Sequence, residues 1–401
     1  IPPRGRWDLA VDGLFGIGLQ RDLEGRHRAL VERLDALPAP VLAIDLPSGL
    51  DSDTGRVRGA AVNAALTVTF IALKPGLLTL DGPDCCGEIR LSGLGLPDAC
   101  FPAPTLRVID AAEAAAALPQ RRRNSHKGSH GDVGILGGAP SLVGAALLAG
   151  RSALRAGAGR VFVAPIGDDA PAVDPGQPEL MLRAPEALFQ LPRLDCLAAG
   201  PGLGLSPDAC VWLQAALESP WPLVLDADAL NLLARFPRYA EALAARGNAV
   251  LTPHPGEAAR LLGTSTAEGQ ADRIAAARRL AERYACGVAL KGVGTVCAFP
   301  GAAAWLNTTG NPGMASAGMG DVLTGLIAGL AAQGTGLDAA LRLAVHLHGA
   351  AADHCLAEGR GPVGLTAMET ADAARALLNR WVYSASALEG EARGSPVTTL
   401  P

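Results

Sequence analysis

The sequence is poor in aromatic residues, which make up 4% of its 401 positions, and it has no long basic run. Its main basic cluster is Arg121-Arg122-Arg123 and its formal net charge is −5, which argues against a nucleic-acid partner. The sequence contains no predominantly apolar stretch of about 20 residues, so it predicts no membrane span. No basic-then-apolar leader begins the chain.

Cysteine-based motifs are also missing, because no two of the eight cysteines form a Cys-x-x-Cys pair. The spacing therefore indicates neither a zinc ribbon nor a redox motif, and most of these cysteines are expected to be small buried apolar residues. A reducing cytoplasm is the simplest compartment. The chain starts at Ile1 rather than Met and soon enters a strand-like segment, which is typical of a truncated or incompletely recorded N-terminus.

Small residues take the place of the missing aromatics, since glycine occupies 49 positions and 49% of the residues are hydrophobic. This composition favours closely packed α/β layers, and the length predicts about two or three domains. Prolines, an alanine run and the basic triplet mark a junction. We therefore predict a first domain over residues 1–97, a linker over 98–125, a second domain over 126–385 and a disordered, Gly-, Ser-, Pro- and Thr-rich tail over 386–401.

Buried strands alternate with helical segments in both parts. In the first part the sequence predicts strands over 7–11, 41–46 and 67–73 and a crossover helix over 26–37, a spacing that implies a parallel sheet. In the second part it predicts helices over 144–156 and 272–284, with strands over 133–136, 161–164, 196–199, 223–225, 249–251 and 288–290. Such alternation gives a doubly wound α/β sheet, in which ligands bind beyond the carboxyl ends of the strands.

The most informative stretch is residues 313–321, which read GMASAGMGD and lead into an apolar run over 322–332. Small residues let the backbone approach a ligand closely, and the N-terminus of the predicted helix attracts anions such as phosphate. Asp321 at the mouth of this helix would be repelled by a phosphate, which suggests a base that takes a proton from a nearby hydroxyl. The alternative is that the glycines only permit close helix packing and Asp321 is a cap.

Four further loops follow predicted strands and would gather at the same edge of the sheet. They are residues 200–204 (GPGLG), 226–231 (DADALN), 252–257 (TPHPGE) and 291–295 (KGVGT). Each has a structural explanation on its own, since Gly and Pro punctuate turns, Asp226 or Asp228 would cap a helix, and His254 would be a satisfied turn residue. Together with residues 313–321 they indicate an active site.

These loops suit phosphoryl transfer, which needs mainly positioning and charge stabilisation. Lys291 and the glycines after it offer a cation and exposed amides for a nucleotide phosphate or ribose, and Gly320 with its neighbours would hold the transferring phosphate. Asp321 would deprotonate or orient the acceptor hydroxyl. A divalent metal, here Mg²⁺, is usual in such sites, and Glu257 and Asp226 are candidate ligands through water.

In their order along the chain, these motifs resemble those of the ADP/ATP-dependent NAD(P)H-hydrate dehydratase family, which has a ribokinase-like fold. The resemblance covers about residues 120–375 and includes 126–128 (HKG) and 155–159 (RAGAG). It implies repair of the hydrated cofactors NADHX and NADPHX. The added ring hydroxyl would be phosphorylated by ADP or ATP, and loss of phosphate would restore NADH or NADPH. Bacterial members typically use ADP and yield AMP.

The resemblance also implies roles for single residues. Ala145, Gly202 and His254 would contact the substrate, as would Asp321, the catalytic aspartate. The nucleotide would contact Gly320 and the loop residues Lys291, Gly292, Val293, Gly294 and Thr295. Since family members are commonly oligomers, the resemblance further implies a homo-oligomer.

Two loops of the first part carry Gly and Asp after predicted strands, at residues 12–19 (DGLFGIGL) and 43–51 (AIDLPSGLD). The simplest explanation is two Gly turns with capping aspartates. The pair resembles the NAD(P)H-hydrate epimerase domain, a Rossmann-like domain that interconverts the R and S hydrates and is often fused ahead of the dehydratase. The resemblance implies a potassium site at Asp12 and Ser48 and an acid–base role for Asp45. Substrate contacts would come from Gly16, Ile17, Gly18, Leu19, Gln20, Arg21, Asp22 and Asp45.

The epimerase domain normally begins earlier, with a helix and an Asn-Asn-Gly-Gly-Asp-type loop that supplies further potassium and substrate ligands. Neither is present before Ile1. The expected architecture is therefore a partial Rossmann-like domain followed by a ribokinase-like doubly wound α/β domain, in a parent protein with both activities.

Two other functions fit the same scaffold. A small-molecule kinase would phosphorylate a hydroxymethyl or sugar hydroxyl and release a stable phosphorylated product. A nucleotide sensor would bind without turnover, although it would not need a base such as Asp321 beside the phosphate loop.

Overall fold

The computed structural model describes residues 7–112, 118, 120–167, 170–383 and 397–400, which form two β-sheets. The strands of the first sheet are β1 (Ala10–Asp12), β2 (Val41–Ile44), β3 (Leu66–Phe70), β4 (Glu88–Ser92) and β15 (Val397–Leu400). They lie in the order β1-β2-β3-β4-β15, and each neighbouring pair is parallel. Their carboxyl ends therefore lie at one edge.

Helical crossovers connect these parallel strands. Helix α1 (Gly25–Asp35) connects β1 to β2, while a 3₁₀ helix (Pro75–Leu77) and helix α2 (Gly82–Cys86) connect β3 to β4. Val31 and Leu34 of α1 are buried in a small cluster with Val41 of β2. Parallel pairing requires such crossovers, because a tight hairpin reverses the chain.

The second sheet has ten strands. They are β5 (Leu106–Val108), β6 (Asp132–Gly137), β7 (Arg160–Pro165), β8 (Met181–Leu182), β9 (Cys196–Ala199), β10 (Leu223–Leu225), β11 (Ala249–Leu251), β12 (Gly287–Leu290), β13 (Val296–Ala298) and β14 (Ala304–Leu306). Their order is β5-β14-β13-β12-β11-β10-β9-β6-β7-β8, and among them β13 runs antiparallel to its neighbours. The order reverses between β6 and β9, at the crevice where doubly wound sheets bind ligands.

Helices and short turns connect these strands. A 3₁₀ helix at Asp98–Cys100 precedes β5 and another at Lys127–His130 precedes β6. The α-helices are α3 (Val143–Arg155), α4 (Pro185–Phe189), α5 (Pro207–Glu218), α6 (Asp228–Arg235), α7 (Pro237–Arg246), α8 (Pro255–Leu262), α9 (Thr266–Ala271), α10 (Arg273–Tyr284), α11 (Met319–Leu330), α12 (Leu337–Ala357) and α13 (Ala367–Tyr383). A 3₁₀ turn at Pro312–Met314 leads towards α11, and a π-helical turn at Ala331–Thr335 follows it.

Both faces of the second sheet are buried. Successive residues of β6 alternate between two hydrophobic clusters, with Ile135 in one and Leu136 in the other, as the period of two along a strand requires. In β9, Leu197 and Ala198 divide in the same way. The continuous apolar runs of these strands follow from burial on both sides.

Helix α11 packs closely on α3 through two glycines. A Cβ on Gly325 would lie 2.0 Å from the carbonyl oxygen of Ala149, and one on Gly329 would lie 2.6 Å from that of Ala153. The four-residue spacing places both glycines on one face of α11. The close approach fixes the position of the α11 N-terminus over the sheet.

One hydrophobic cluster joins the two parts of the chain. Leu46, Leu77 and Ile89 of the first part belong to the same buried cluster as Leu225 and Leu290 of the second. The two sheets therefore share part of their core.

The α/β class and the doubly wound second sheet confirm the sequence prediction, and the strands predicted over 196–199, 223–225 and 249–251 coincide with β9, β10 and β11. Within the predicted linker, Leu106–Val108 forms β5 and pairs with the otherwise open edge of β14. Within the predicted tail, Val397–Leu400 forms β15 and pairs in parallel with β4. Residues 386–396 and 401 of that tail lie outside the described residues.

Within the described residues, no helix combines the length and the apolar character that crossing a bilayer requires.

Candidate functional site

The loops after β6 and β9 meet at the crevice of the second sheet. The amide of Gly138 donates to the carbonyl of Pro201 over 3.0 Å, and the amide of Ala139 donates to that of Gly202 over 2.6 Å. Gly202 has a φ of 59°, in the left-handed region that favours glycine. A Cβ there would lie 3.2 Å from that of Ala145, so the two predicted substrate contacts lie together.

An ion pair lies at the bottom of the site. The Nζ of Lys291, just beyond β12, lies 2.8 Å from Oδ1 of Asp226, just beyond β10. The hydroxyl of Thr324 in α11 donates to Oδ2 of Asp226 over 2.8 Å. Burial disfavours the charged ammonium, but the negative charges of Asp226 and Glu257 outweigh this effect and raise the pKa of Lys291.

Asp321 lies in the first turn of α11, after an N-cap glycine, Gly318, with a φ of 86°. Its carboxylate accepts no hydrogen bond from the described residues. Burial and the nearby charge of Asp226 raise the pKa of Asp321 to about 7, although Lys291 opposes the shift. A carboxyl group with this pKa is well suited to accept a proton near neutral pH.

Gly320 lies directly over the ion pair. A Cβ at this position would lie 3.3 Å from Nζ of Lys291 and 3.5 Å from Oδ2 of Asp226. The absence of a side chain therefore leaves the ammonium accessible from the α11 N-terminus. A phosphate at this helix end would meet both free amides and a cation.

The loop after β11 supplies a second buried acid. The amide of His254 donates to Oε2 of Glu257 over 2.8 Å, and the amide of Gly256 donates to Nδ1 of His254 over 3.0 Å, so these residues form the N-terminal cap of α8. Burial raises the pKa of Glu257 to about 7, and Lys291 opposes the shift. Burial and the charge of Lys291 lower the pKa of His254.

The loop over residues 291–295, referred to below as the nucleotide loop after its predicted role, has two glycines at positive φ, Gly292 at 139° and Gly294 at 64°. The buried guanidinium of Arg273 supports it from below, with Nη2 donating to the carbonyls of Leu290 and Lys291 over 3.3 and 3.2 Å. A Cβ on Gly292 would lie 2.8 Å from this guanidinium. Burial lowers the pKa of Arg273 to about 10.

The other aspartate of the 226–231 loop has a structural role. The amide of Gly204 donates to Oδ2 of Asp228 over 2.8 Å, and Asn231 donates to Oδ1 over 3.2 Å. Asp228 therefore connects the loop after β9 to helix α6. It also contributes to the raised pKa of Asp321, after burial and Asp226.

In the first part, Asp12 and Ser48 lie together at the carboxyl ends of β1 and β2. The hydroxyl and the amide of Ser48 donate to the fully buried carboxylate of Asp12 over 2.6 and 2.7 Å. The amide of Phe15 donates to the Ser48 hydroxyl over 2.9 Å. The result is a small oxygen-rich cluster at the strand ends.

Asp45 follows β2 with a φ of 70°, a strained conformation for a residue with a side chain. Lys74 Nζ lies 2.5 Å from its Oδ1, and the Thr69 hydroxyl donates to the same oxygen over 3.1 Å. A Cβ on Gly16 would lie 3.9 Å from Oδ2 of Asp45, so this part of the predicted substrate loop lies beside the acid.

The rest of that predicted loop differs in its surroundings. Leu19 packs against the small cluster around α1. The remaining members are exposed, namely Ile17, Gly18, Gln20, Arg21 and Asp22.

Sequence reasoning missed Lys74 and Thr324. Lys74 follows the predicted strand over 67–73, so the rule that selected the other loops would also have selected this residue. Thr324 is three residues after Asp321, at a spacing that places both on one face of a helix.

Comparisons with known proteins find relatives of both parts of the chain. The family profile described as NAD(P)H-hydrate dehydratase (Carb_kinase) matches residues 133–375, and the one described as YjeF-related protein N-terminus matches residues 3–76. The bifunctional NAD(P)H-hydrate repair enzyme Nnr of Coxiella burnetii is 42% identical over 378 residues, which cover 93% of this chain and 76% of the relative.

Two solved structures resemble the second part. The ADP/ATP-dependent NAD(P)H-hydrate dehydratase from Bacillus subtilis, co-crystallised with ATP and Mg²⁺, matches with a TM-score of 0.61 and 32% identity, over 70% of this chain and 100% of the other. A ribokinase-like superfamily protein from Enterococcus faecalis matches with a TM-score of 0.60 and 26% identity, over 70% of this chain and 98% of the other.

The fold and the matches thus define an α/β enzyme whose second part is ribokinase-like. The chain belongs to the family of bifunctional NAD(P)H-hydrate repair enzymes, with an epimerase domain followed by a dehydratase domain. The family resemblance seen in the sequence is confirmed, and it is supported over the small-molecule kinase alternative.

Proposed function

We propose that the second part converts (6S)-NADHX and (6S)-NADPHX to NADH and NADPH, with ADP or ATP as the phosphoryl donor. The observation that carries this proposal is the Asp321 carboxylate at the N-terminus of α11, whose pKa is raised to about 7 beside the Lys291–Asp226 pair. A base poised near neutral pH, a cation and free helix amides are what transfer of a phosphoryl group to a hydroxyl needs.

In the proposed reaction, Asp321 takes the proton from the hydroxyl on the hydrated nicotinamide ring. The hydroxyl oxygen bonds to the terminal phosphorus of the nucleotide, and the bond from that phosphorus to the nucleotide breaks, leaving AMP if ADP is the donor. The carbon–oxygen bond to phosphate then breaks and the adjacent ring carbon loses a proton to solvent, which restores the ring double bond of the reduced cofactor. Lys291 and the α11 amides would stabilise the charge on the transferring group.

We assign the contacts for the two ligands to different residues around the crevice. Ala145, Gly202 and His254 would hold the hydrated substrate, while Gly320 and residues 291–295 would hold the nucleotide. This division is supported by the contact of Gly202 with Ala145 and by the position of Gly320 over Lys291.

The described residues contain no group of three or more His, Cys, Asp or Glu side chains arranged to hold a metal ion. We therefore propose that Mg²⁺ enters with the nucleotide phosphates and keeps most of its waters, as this ion commonly does. Asp226 and Glu257 would contact those waters. When bound, the ion would neutralise phosphate charge.

For the first part we propose R/S epimerisation of the same hydrates, with Asp45 in acid–base chemistry and residues 16–22 around the substrate. The Asp12–Ser48 cluster fits a potassium ion, because a buried carboxylate and a hydroxyl are hard oxygen donors. When bound, the ion would supply a fixed positive charge.

We also propose that the epimerase domain spans residues 1–97 and the dehydratase domain spans residues 126–385. We further propose that the protein is cytoplasmic and self-associates. All eight cysteines are free, which fits a reducing compartment. Light scattering coupled to size-exclusion chromatography would test self-association.

The test is incubation of the protein with (6S)-NADHX and either ADP or ATP, with NADH absorbance as the readout and a nucleotide-free sample as control. We expect NADH to form only when nucleotide is present, together with inorganic phosphate. A folded sample that forms no NADH with either nucleotide would contradict the proposal, as would accumulation of a stable phosphorylated product.

A further inference from the structure

The nucleotide loop is held from two sides, and one side belongs to the first part of the chain. Arg273 binds the carbonyls of Leu290 and Lys291 from within the second part. From the first part, the hydroxyl of Thr79 donates to the carbonyl of Val293 over 3.0 Å and lies 3.5 Å from that of Gly294.

Contact between the two parts is close at this point. The amide of Leu80 donates to the carbonyl of Val293 over 3.4 Å. A Cβ on Gly294 would lie 2.4 Å from the carbonyl oxygen of Leu78 and 2.8 Å from Cα of Thr79. Residues 78–80 therefore lie in close contact with the nucleotide loop at Val293 and Gly294.

The segment 78–80 is held by burial and by hydrogen bonds within the first part. Leu78 and Thr79 are buried, and in the preceding 3₁₀ helix the amide of Gly76 donates to the carbonyl of Ser52 over 2.7 Å. The amide of Gly82 donates back to the carbonyl of Thr79 over 3.0 Å. A rigid segment of this kind can impose a conformation on the loop that it contacts.

Holding these carbonyls also orients the amides that a ligand would use. In a trans peptide the N–H of one residue points opposite to the C=O of the residue before it. The carbonyls of Val293 and Gly294 face Thr79, so the N–H groups of Gly294 and Thr295 face away from it. These two N–H groups donate to none of the described residues, which leaves them available to a ligand.

We propose that residues 78–80 of the epimerase part position the nucleotide loop of the dehydratase part, with Thr79 as the positioning residue for ADP or ATP. The proposal rests on the proposed nucleotide role of residues 291–295.

Three variants test this proposal. Thr79→Val removes the hydroxyl but keeps the shape, and Thr79→Ser restores it. Thr67→Val is a matched control, because Thr67 is equally buried and its hydroxyl donates over 2.7 Å to the carbonyl of Cys86, within the first part. Calorimetric titration gives the Kd for ADP, and nucleotide-dependent NADH formation gives KM and kcat.

We expect Thr79→Val to raise the Kd and KM for ADP by roughly three- to tenfold, the effect of one lost neutral hydrogen bond. We expect kcat at saturating ADP to stay within about twofold, Thr79→Ser to restore affinity, and Thr67→Val to leave it unchanged. A purely structural role would lower the Tm of both valine variants without moving the Kd. An unchanged Kd in Thr79→Val, or an equal rise in Thr67→Val, overturns the proposal.

A second measurement uses the unaltered protein, in case Thr79→Val does not fold. We expect ADP to slow hydrogen exchange at the amide of Leu80 as well as across residues 291–295, since that amide donates to Val293. Slowed exchange in the nucleotide loop alone would overturn the proposal. The Kd and the hydrogen-exchange measurement need only ADP binding. A protein that binds ADP without forming NADH would therefore refute the proposed function and still allow this proposal to be tested.

Discussion

The two candidate sites occupy equivalent places, at the carboxyl ends of parallel strands, but their central carboxylates have opposite surroundings. Asp45 in the first sheet is paired with Lys74 at 2.5 Å and also accepts a hydrogen bond from Thr69. Asp321, in the first turn of α11 beside the second sheet, accepts no such hydrogen bond from the described residues, and its charged neighbours are Asp226, Lys291 and Asp228.

This difference shows that the surroundings, rather than the position in the sheet, determine what a carboxylate can do. Burial, together with the nearby charges of Asp226 and Asp228, raises the pKa of Asp321 to about 7 although Lys291 opposes the shift, so this carboxylate is poised to accept a proton near neutrality. A carboxylate paired with an ammonium forms a two-member acid–base unit, suited to acid–base chemistry at the hydrated carbon. The first arrangement fits activation of a hydroxyl, and the second fits epimerisation.

The largest expected effect comes from removing the isolated carboxylate. Asp321→Asn keeps the shape but cannot accept the proton, so we expect NADH formation to fall by roughly 10²- to 10⁴-fold. ADP affinity should stay similar or increase, because a negative charge near phosphate is lost. Single-turnover kinetics and calorimetric titration measure the two quantities. Asp338→Asn is the control, since Asp338 occupies the first turn of α12 and should leave turnover unchanged.

The second-largest expected effect is a loss of epimerisation with dehydration retained. Asp45→Asn leaves Lys74 without its carboxylate, and we expect R/S interconversion of NADHX to fall by about 100-fold, within the range for one acid–base group. Chromatographic separation of the two epimers measures this rate. Nucleotide-dependent dehydration in the same sample serves as the control and should be retained. Loss of both epimerisation and dehydration would show that the two sites do not act independently.

A pH profile tests the raised pKa of Asp321. Because the carboxylate form is the active one and its pKa is about 7, kcat/KM should fall as the pH drops through 7 and level off above it. Asp228→Asn removes one of the charges that raise this pKa, so its profile should shift to lower pH. An unshifted midpoint in that variant would show that Asp228 does not act on the titrating group.

The smallest expected effect is a change in the pH dependence of stability, and it comes from Glu257, the second buried acid. The pKa of Glu257 is raised from 4.5 to about 7, so the folded protein keeps a proton that the unfolded chain releases. Its contribution to stability is therefore present below pH 4.5 and is lost as the pH rises through 7. Glu257→Gln cannot titrate, and its stability relative to the unaltered protein should rise by on the order of 2 kcal/mol between pH 5 and 8.

Urea unfolding at the two pH values measures this difference. Glu268→Gln is a matched control, because Glu257 and Glu268 both complete capping boxes while Glu268 is fully exposed. The lowered pKa of Glu268 gives its contribution the opposite sign. Equal pH dependence in the two variants would show that burial of Glu257 is not the cause.

Much of the second sheet was predictable, because parallel strands buried on both faces read as short apolar runs followed by loops. The same rule placed Asp226 and Lys291 at one edge, and the Gly-rich stretch before a predicted helix singled out Asp321. The sequence suggested Asp226 as a helix cap or a metal ligand through water. Its ion pair with Lys291 was not predictable, since Lys291 is 65 residues away and only the folded sheet brings the two together.

The remaining contacts depended on tertiary structure. Thr79 carries no local motif, and its partner Val293 lies 214 residues away in the other part of the chain. The short strands β13 and β14 have three residues each, too few for a period to emerge. Strand β5 was hidden in a Pro-rich stretch that otherwise favours a linker, because its only signal is the open edge of β14.

The two glycines of α11 bear on how substitutions in this protein should be interpreted. A methyl group at Gly325 would meet the carbonyl oxygen of Ala149 at 2.0 Å, so even alanine would force α11 away from α3. Asp321 is one turn earlier on the same helix and would move with it. In a mutational scan, Gly325 would therefore look as intolerant as a catalytic residue, although its role is to let two helices pack closely.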